Sequence, residues 1–242
     1  MRYGILSDVH SNLEALGATA GAMAKDRIDR YLFVGDLVGY GADPRACIAA
    51  MRLLKPHSLI AGNHDWGVLG LLDMEYFNEY AASAVEWTRD TLSGADAGYL
   101  RSFMLVCEQE NFTLVHGSLN QPAKFNYILG PEDARLCMRC ARTPLCFVGH
   151  SHRAGIFCLD GGTVMCPDAA AVKIDYTKKY VINVGSVGQP RDGDPRASYA
   201  VYDETEGIVE IKRVIYDIEA AQAKITRAGL PAWLAARLVE GR

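Results

Sequence analysis

The chain has 242 residues, 50% of them hydrophobic, and a formal net charge of −4. This length and composition suit one α/β domain of an ordinary soluble protein. The mild negative charge argues against nonspecific binding to nucleic acid, and the absence of a run of about 18 apolar residues argues against a membrane-spanning helix.

Short apolar runs alternate with amphipathic helices in the first 150 residues, which predicts an α/β layered fold. Strands are predicted at 3–7, 31–34, 58–61, 112–115 and 145–148. Helices are predicted at 11–25, from Asp43-Pro44 onwards, at 75–93 and at 131–141. The first of these begins with Ser11-Asn-Leu-Glu14, which has the form of a capping box. The second predicted helix has Pro44 in its first turn, which is typical of a helix start.

Closely spaced strands are predicted in the chain after residue 155. They lie at 155–159, 162–166, 180–184, 198–203 and 208–216. Glycine turns separate some of them, which predicts a mostly antiparallel second sheet. Residues 217–240 are predicted to be helical, with a break at Gly229-Leu-Pro231. We therefore expect a single domain over residues 1–242, with a helical insertion at 66–105 and a helical C-terminal tail from 217.

The seven cysteines indicate free thiols rather than disulfides. Their number is odd and several lie in apolar runs such as Leu145-Cys146-Phe147, which is typical of buried thiols in a reducing compartment. Cys137 and Cys140 form a C-x-x-C pair, but a structural zinc site needs four ligands and no second pair follows. The N-terminus has the pattern of a strand rather than of a signal peptide. We expect a cytoplasmic protein.

Carboxylate, amide and imidazole side chains follow five of the predicted strands. In α/β sheets, sites form beyond the carboxyl ends of the strands. Asp8 and His10 are two residues apart, as are His150 and His152, so each pair projects from one face of an extended segment. The polar residues that we expect to meet there are Asp8, His10, Asp36, Asn63, His64, Asp65, His116, His150 and His152.

A metal centre explains this collection better than separate structural roles do. Singly, Asp8 could cap a helix, Asp36 could belong to a turn and His116 could be a hydrogen-bonded core histidine. Together, burying so many polar groups without partners would cost several kcal/mol. Carboxylate, amide and imidazole ligands without thiolate suit Mn²⁺, Fe, Zn²⁺ or Ni²⁺.

The order of these motifs resembles that of the calcineurin-like metallophosphoesterase superfamily. The motifs are Asp8-x-His10, Gly35-Asp36-x-x-Gly39, Gly62-Asn63-His64-Asp65, His116 and Gly149-His150-x-His152. The segment from Gly185 to Arg196 resembles the small bacterial and archaeal branch, although Val184 replaces the usual proline after Asn183. The resemblance implies a four-layer α/β/β/α sandwich of two mixed sheets flanked by helices.

The resemblance also implies a cofactor of two divalent or trivalent transition-metal ions, with Mn or Fe favoured over Zn or Ni. The first ion would be held by Asp8, His10, Asp36 and His152, and the second by Asp36, Asn63, His116 and His150. A hydroxide bridging the ions would attack phosphorus in line. His64 would stabilise the transition state or protonate the leaving oxygen, with its ring oriented by Asp65. Arg191 would contact a substrate phosphate.

We therefore expect a metal-dependent phosphoesterase that hydrolyses a phosphomonoester or phosphodiester. The alternative is a non-catalytic metal-binding scaffold of the same fold, which the superfamily includes. The complete ligand set favours the enzyme. A dinucleotide-binding or P-loop protein is poorly supported, because neither glycine motif is present.

The substrate stays open between a phosphoprotein, a nucleotide diester and a dinucleoside polyphosphate, and no membrane partner is expected. Selectivity would come from residues 66–105 and 118–130, where Phe125 and Tyr127 are left unassigned.

Overall fold

Two six-stranded sheets lie face to face, and helices cover both outer faces. The computed structural model describes residues 1–242. The strands are β1 (Arg2–Leu6), β2 (Arg30–Val34), β3 (Ser58–Ile60), β4 (Val106–Glu108), β5 (Phe112–Val115), β6 (Leu145–Val148), β7 (Gly155–Asp160), β8 (Thr163–Met165), β9 (Ala171–Lys173), β10 (Lys179–Asn183), β11 (Ala197–Asp203) and β12 (Ile208–Val214). The α-helices are α1 (Leu13–Lys25), α2 (Pro44–Leu54), α3 (Asn63–Val68), α4 (Glu79–Thr91), α5 (Gly94–Leu100), α6 (Pro131–Cys140), α7 (Ile218–Arg227) and α8 (Ala232–Glu240). Short 3₁₀ helices lie at Met74–Tyr76 and Pro122–Lys124.

Both sheets are mixed. Their strand orders are β3-β2-β1-β11-β12-β9 and β4-β5-β6-β10-β7-β8. The pairs β1–β2, β2–β3, β5–β6 and β6–β10 are parallel, and the remaining pairs are antiparallel. Because parallel strands end at the same edge, the loops that follow β1, β2, β5 and β6 can meet. The predicted four-layer sandwich of two mixed sheets is confirmed.

The strands after residue 155 do not form a sheet of their own, so that prediction is wrong. Strand β11 pairs with β1, in a register that runs from Arg2 opposite Asp203 to Ile5 opposite Ala200. Strands β12 and β9 continue that first sheet, whereas β10, β7 and β8 complete the second. Residues 197–202 of β11 are all buried. A strand that is buried on both faces has no alternation in its sequence to reveal which sheet it joins.

The alternation of side chains along each strand separates an inner core from two outer cores. In β6, Leu145 and Phe147 lie between the sheets, whereas Cys146 and Val148 pack with residues of α6. The Phe147 ring lies 5.8 Å from the ring of Tyr202 on the first sheet. The inner core therefore fixes how the two sheets lie against each other, and with them the loops at their shared edge.

Helix α1 begins one residue later than the sequence suggests. Its N-cap is Asn12, whose side chain accepts a hydrogen bond from the Ala15 N–H at 3.1 Å. The expected capping box of Ser11 and Glu14 is therefore not formed. The Glu14 carboxylate instead pairs with Lys224 of α7 at 2.5 Å, which ties the C-terminal helices to the first sheet's helical layer.

Helices occupy most of residues 66–105 and of the C-terminal tail. Helices α4 and α5 pack with the outer core of the first sheet, and so do α7 and α8. The helical tail is interrupted between α7 and α8 at the predicted Gly229–Pro231 stretch. Leu234 and Leu238 of α8 are buried. None of the helices combines the length and the apolarity that a bilayer crossing requires. The division of the chain into one domain with an insertion stays a prediction.

Candidate metal centre

All seven predicted metal ligands lie together at one edge of the sandwich. The loops after β1 and β2 run side by side there, because the Asp8 N–H donates to the Gly35 carbonyl at 2.8 Å and the His10 N–H to the Asp36 carbonyl at 3.0 Å. The loops after β5 and β6 and the first residues of α3 bring the other side chains. None of the seven is more than 3% exposed: Asp8, His10, Asp36, Asn63, His116, His150 and His152.

Left-handed backbone conformations are concentrated in this centre. Five of the seven ligands have φ between 48° and 66°: Asp8, His10, Asp36, His150 and His152. Each such residue costs roughly 1–2 kcal/mol relative to an ordinary conformation, although Asp and His tolerate the region better than most. Strain of this kind persists where the surrounding structure enforces it, commonly at functional sites.

The first group of ligands comprises Asp8, His10 and His152. The Nε2 atom of His152 lies 3.2 Å from Asp8 Oδ1 and 3.0 Å from His10 Nε2. The same His10 Nε2 atom lies 3.6 Å from Asp36 Oδ2. Nitrogen and oxygen donors thus converge on one point.

The second group comprises Asp36, His116 and His150. The Nε2 atom of His116 lies 3.2 Å from Asp36 Oδ2, the same oxygen that faces His10. One carboxylate therefore stands between the two groups, in the position that a shared ligand would occupy.

Three imidazole rings are oriented by backbone carbonyls. The rings of His10, His116 and His152 bond through Nδ1 to the carbonyl oxygens of Val38, Val34 and Gln189, at 3.2, 2.7 and 2.6 Å respectively. Because a carbonyl oxygen only accepts, Nδ1 carries a proton in each ring, and Nε2 offers a free lone pair whenever the ring is neutral. Metal-ligating histidines in proteins are held in this way.

The ligand atoms have no other adequate partners. With both Nδ1 atoms donating, the Nε2 lone pairs of His10 and His152 face each other at 3.0 Å with no proton to share. The buried atoms Asn63 Oδ1 and His150 Nε2 have no hydrogen-bond partner. A buried unpaired polar group costs about 1–3 kcal/mol, and a cation on each side of Asp36 would remove these costs. The donor set therefore fits a pair of metal ions.

The charges of the centre also suit cations. Burial lowers the pKa of His150 and of His152 to about 3, so both rings are neutral at neutral pH. Burial acts to raise the pKa of Asp8, but the His152 and His116 rings outweigh it and hold that pKa well below its usual range. For His116, burial acts to lower the pKa and is outweighed by Asp36 and Asp8, which raise it to about 9. The ionised carboxylates thus attract positive charge into a buried site.

Asp65 does not orient the His64 ring, so that expectation is wrong. Its two carboxylate oxygens instead accept four backbone hydrogen bonds of 3.0–3.3 Å, from the N–H groups of Asp36, Leu37, Val38 and Gly62. Burial and the nearby Asp36 carboxylate raise the pKa of Asp65 to about 7, and the backbone donors act in the opposite direction. Asp65 is therefore a positioning residue for the loop that carries Asp36.

His64 lies beside both groups with a free ring nitrogen. Its backbone N–H donates to Asp36 Oδ1 at 2.8 Å, while its ring Nδ1 has no partner. The ring centroid is 4.8 Å from that of His10 and 4.4 Å from that of Tyr40, and a Cβ at Gly39 would lie 2.5 Å from Nδ1. Burial lowers the pKa of His64 well below its usual value. The neutral ring is held in place and is able to hydrogen-bond a substrate.

Aromatic and cationic residues form the rim of the centre. Arg191 lies over Tyr40, with its Cζ 5.5 Å from the ring centroid, and its Nε and Nη2 donate to Gln189 Oε1 at 3.2 and 2.7 Å. Tyr127 stacks on His150 with ring centroids 3.9 Å apart. No spacing in the sequence marks Tyr40 as a rim residue, and a contact of Arg191 with substrate stays a prediction.

The two aromatic residues that the sequence left unassigned differ in position. Phe125 is 1% exposed and packs edge-on against Trp66, so it belongs to the core. Tyr127 is 46% exposed, so it is the one available to a ligand.

Sequence reasoning missed the residues that hold the loops in place. Asn183 donates from Nδ2 to the Gly149 carbonyl at 2.8 Å, and Ser186 donates from Oγ to the Asp8 carbonyl at 2.8 Å. The segment after β10 thus joins the loops that carry Asp8 and His150. Their only signal in the sequence is that Asn183 precedes, and Ser186 lies within, the family-like segment from Gly185 to Arg196.

Val184 gains a hydrogen bond where the related pattern has proline. Its N–H donates to the Val148 carbonyl at 3.0 Å, a bond that proline has no N–H to make. The departure therefore leaves this loop connected to the end of β6.

Residues 1–207 match the sequence profile of the calcineurin-like phosphoesterase superfamily domain. The chain belongs to the calcineurin-like phosphoesterase superfamily. An uncharacterized protein of Methanocaldococcus jannaschii is 38% identical over 98% of this chain and 97% of its own length. The crystal structure of a metallophosphoesterase from Sphaerobacter thermophilus is 38% identical, covers 100% of both chains and superposes with a TM-score of 0.89. The crystal structure of a hypothetical protein from Pyrococcus horikoshii OT3 shares the fold, at 19% identity and a TM-score of 0.82 over 100% of this chain and 98% of that one.

Membership in the calcineurin-like phosphoesterases accounts for the geometry of the centre. The family is metal-dependent, and its membership indicates a phosphoester hydrolase. The Asp and His groups on the two sides of Asp36 are candidate metal ligands in this chain. The resemblance inferred from the motifs is confirmed.

Proposed function

We propose that this calcineurin-like phosphoesterase hydrolyses a phosphomonoester or phosphodiester with two transition-metal ions that share Asp36. The observation that carries the proposal is the pair of facing acceptors, His10 Nε2 and His152 Nε2, 3.0 Å apart beside a carboxylate that reaches a second His/Asp group. Positive charge between its members would stabilise such an arrangement.

Each ion would have four protein ligands. One would be held by Asp8, His10, Asp36 and His152, and the other by Asp36, Asn63, His116 and His150. Mn or Fe is favoured among the metals that accept these donors. When bound, the two ions activate a water nucleophile and neutralise the phosphate that it attacks.

The remaining residues would act on the substrate from positions beside the ligands. The neutral His64 ring would hydrogen-bond the leaving oxygen and so stabilise the negative charge that develops on it. Tyr40 keeps that ring in place by packing against it. Arg191 would contribute a fixed positive charge to a phosphate oxygen.

A small phosphorylated substrate suits the surroundings of the centre better than a phosphoprotein does. A cleft of about 270 Å³ adjoins Tyr127, which stacks on His150. It is lined by Ser118, Asn120, Asn126, Tyr127, Asp133 and Leu136. Hydroxyl, amide and aromatic groups in one cleft suit a leaving group with both polar and ring character.

All seven cysteines are free, which supports the expected cytoplasmic location.

The test is hydrolysis of p-nitrophenyl phosphate and bis(p-nitrophenyl) phosphate by protein stripped of metal and reloaded with Mn²⁺. We expect turnover in the wild type and its loss in Asp36→Ala and His150→Ala. The matched control is His57→Ala, because His57 is exposed and lies outside the centre. Metal content is measured on each protein by elemental analysis.

Turnover retained in both purified ligand variants would end the proposal. Two bound ions without turnover on either substrate or on a phosphopeptide would favour the scaffold alternative.

A further inference from the structure

Two arginines near the metal centre have no acidic side chain as a partner. The neighbouring Arg196, Arg213 and Arg242 each form an ion pair with an acidic side chain. No Asp or Glu side chain lies within ion-pair distance of Arg191 or of Arg237 on helix α8. Both side chains are only partly exposed, so their charges are incompletely solvated. Unpaired guanidinium groups in such a position are suited to an anion that the protein itself does not supply.

The C-terminal helix brings Arg237 to the loop that carries Arg191. Helix α8 ends in Gly241, whose carbonyl accepts a hydrogen bond from the Gly193 N–H at 3.0 Å. The contact is close, because a Cβ at Gly241 would lie 2.8 Å from the Asp194 backbone nitrogen. The end of α8 is thus joined to the segment two residues after Arg191.

The same helix reaches the back of the metal centre. Leu238 of α8 lines a small cavity together with His10, Tyr40 and Gln189, which are a predicted ligand and the two residues that contact Arg191. The position of Arg237 is therefore set relative to the centre by packing.

Arg237 keeps donor groups free. Its Nε–H donates to the Arg242 carbonyl and its Cζ lies 5.8 Å from the Trp233 ring, while neither Nη group has a hydrogen-bond partner in the chain. Burial and then the charge of Arg191 lower the pKa of Arg237 to about 10, so it is still protonated at neutral pH. Two guanidinium groups repel each other here, and an anion between them would offset that repulsion.

We propose that Arg191 and Arg237 bind a second phosphate group of the substrate, outside the metal pair. This inference rests on the proposed phosphoesterase function and narrows its substrate to compounds that carry at least two phosphate groups. Arg191 lies over Tyr40, and Tyr40 in turn contacts both His10 and His64. The subsite is therefore one aromatic ring away from the reacting phosphate. The planar guanidinium matches the geometry of phosphate oxygens.

The test compares the affinities of inorganic phosphate and of pyrophosphate for the Mn²⁺-loaded protein by calorimetry. We expect the wild type to bind pyrophosphate at least tenfold more tightly, and Arg237→Gln to lose roughly tenfold of that preference, since charge-assisted hydrogen bonds are lost. Arg237→Lys keeps the charge and should retain part of it. The control is Arg227→Gln, which removes a positive charge from an exposed position on the same tail. Thermal unfolding establishes that each variant is folded.

The results separate this inference from the proposed function. Hydrolysis of bis(p-nitrophenyl) phosphate without any preference for pyrophosphate would overturn the second subsite and leave the phosphoesterase standing. An equal loss of preference in Arg227→Gln and Arg237→Gln would also overturn it, because the effect would then be one of overall charge. Calorimetry measures the preference even in a protein that hydrolyses neither ester.

Discussion

His64 is fixed in the site by its backbone, while its ring has no hydrogen-bond partner in the protein. Its backbone N–H is bonded to Asp36, but its ring nitrogen Nδ1 is buried without a partner. A buried group that is held by packing and lacks a protein partner is suited to act on a bound ligand.

Replacing His64 with Asn should therefore affect turnover more than metal binding. We expect two bound ions per chain and a fall in kcat of about 10²–10³-fold, the range seen when one hydrogen bond to a developing oxyanion is removed. The fall should be larger for phenyl phosphate than for p-nitrophenyl phosphate, because the poorer leaving group carries more negative charge in the transition state. Elemental analysis and steady-state kinetics measure the two quantities. An equal loss on both esters would argue against a contact with the leaving oxygen.

Asp65 positions the loop after β2 because both of its carboxylate oxygens accept backbone N–H groups. In Asp65→Asn, one of the two oxygens that accept backbone N–H groups is replaced by an NH₂ group, which donates and cannot accept. We expect the free energy of unfolding to fall by at least about 2 kcal/mol, because buried donors lose their acceptor. Chemical denaturation measures it.

The control for this substitution is Asp73→Asn. Asp73 is exposed and accepts only the Glu75 N–H as an N-cap, a position in which Asn performs as well as Asp. If both variants lose the same stability, the four bonds to Asp65 do not position the loop.

The residue types of the site were predictable from the sequence, whereas the hydrogen-bond partners that hold them in place were not. Asp8, His10 and His152 are recognisable by type and spacing at strand ends. The role of Asp65 was carried over from the family resemblance and was misjudged, because its hydrogen bonds go to the loop after β2. Contacts between segments that are far apart in sequence leave no local pattern.

At the scale of elements, the loop after β10 holds the loop after β1 by close backbone contact. The Gly188 N–H donates to the Asp8 carbonyl at 2.9 Å, and a Cβ at Gly188 would lie 1.8 Å from the Val9 carbonyl oxygen. Only glycine permits this approach.

Gly188→Ala should therefore separate the two loops and weaken metal binding. We expect at least a tenfold loss of Mn²⁺ affinity, measured by calorimetry on the metal-free protein, because Asp8 and His10 move relative to His152. The matched control is Gly17→Ala in helix α1, where nothing lies within 4 Å of an added Cβ. That change should stabilise the fold by up to about 1 kcal/mol. Unchanged affinity in Gly188→Ala would show that the contact does not shape the site.

Elements were predictable where the sequence has a local signal. Pro44 at the start of α2 and the break before α8 appear as expected. Strands β4 and β9 were missed because each has only three residues and ends in a charged one, so neither stands out as an apolar run. The assignment of strands to sheets failed for another reason, since it depends on partners far away in the chain.

At the scale of the whole molecule, the metal centre joins loops from both sheets. Asp8 follows β1 of the first sheet, and His116 and His150 follow β5 and β6 of the second. Bound ions should therefore stabilise the packing of the two sheets as well as the site itself.

Removal of metal should accordingly lower Tm. A ligand present at 100 times its Kd adds about 2.7 kcal/mol to stability, which corresponds to roughly 5–10 °C for a protein of this size. Differential scanning calorimetry before and after chelation measures the shift, and re-addition of Mn²⁺ should restore it. In Asp36→Ala the shift should be smaller. An equal shift in Asp36→Ala would place the stabilising ions elsewhere.

The pairing of β1 with β11 also bears on how the protein is made. While the ribosome is still translating the middle of the message, β1 has an edge whose partner has not been synthesised. That edge stays available to chaperones, or to another nascent chain, until residues near 200 emerge. Folding of the first sheet therefore waits for the synthesis of β11, and slower translation of the residues between β1 and β11 would lengthen the period of exposure.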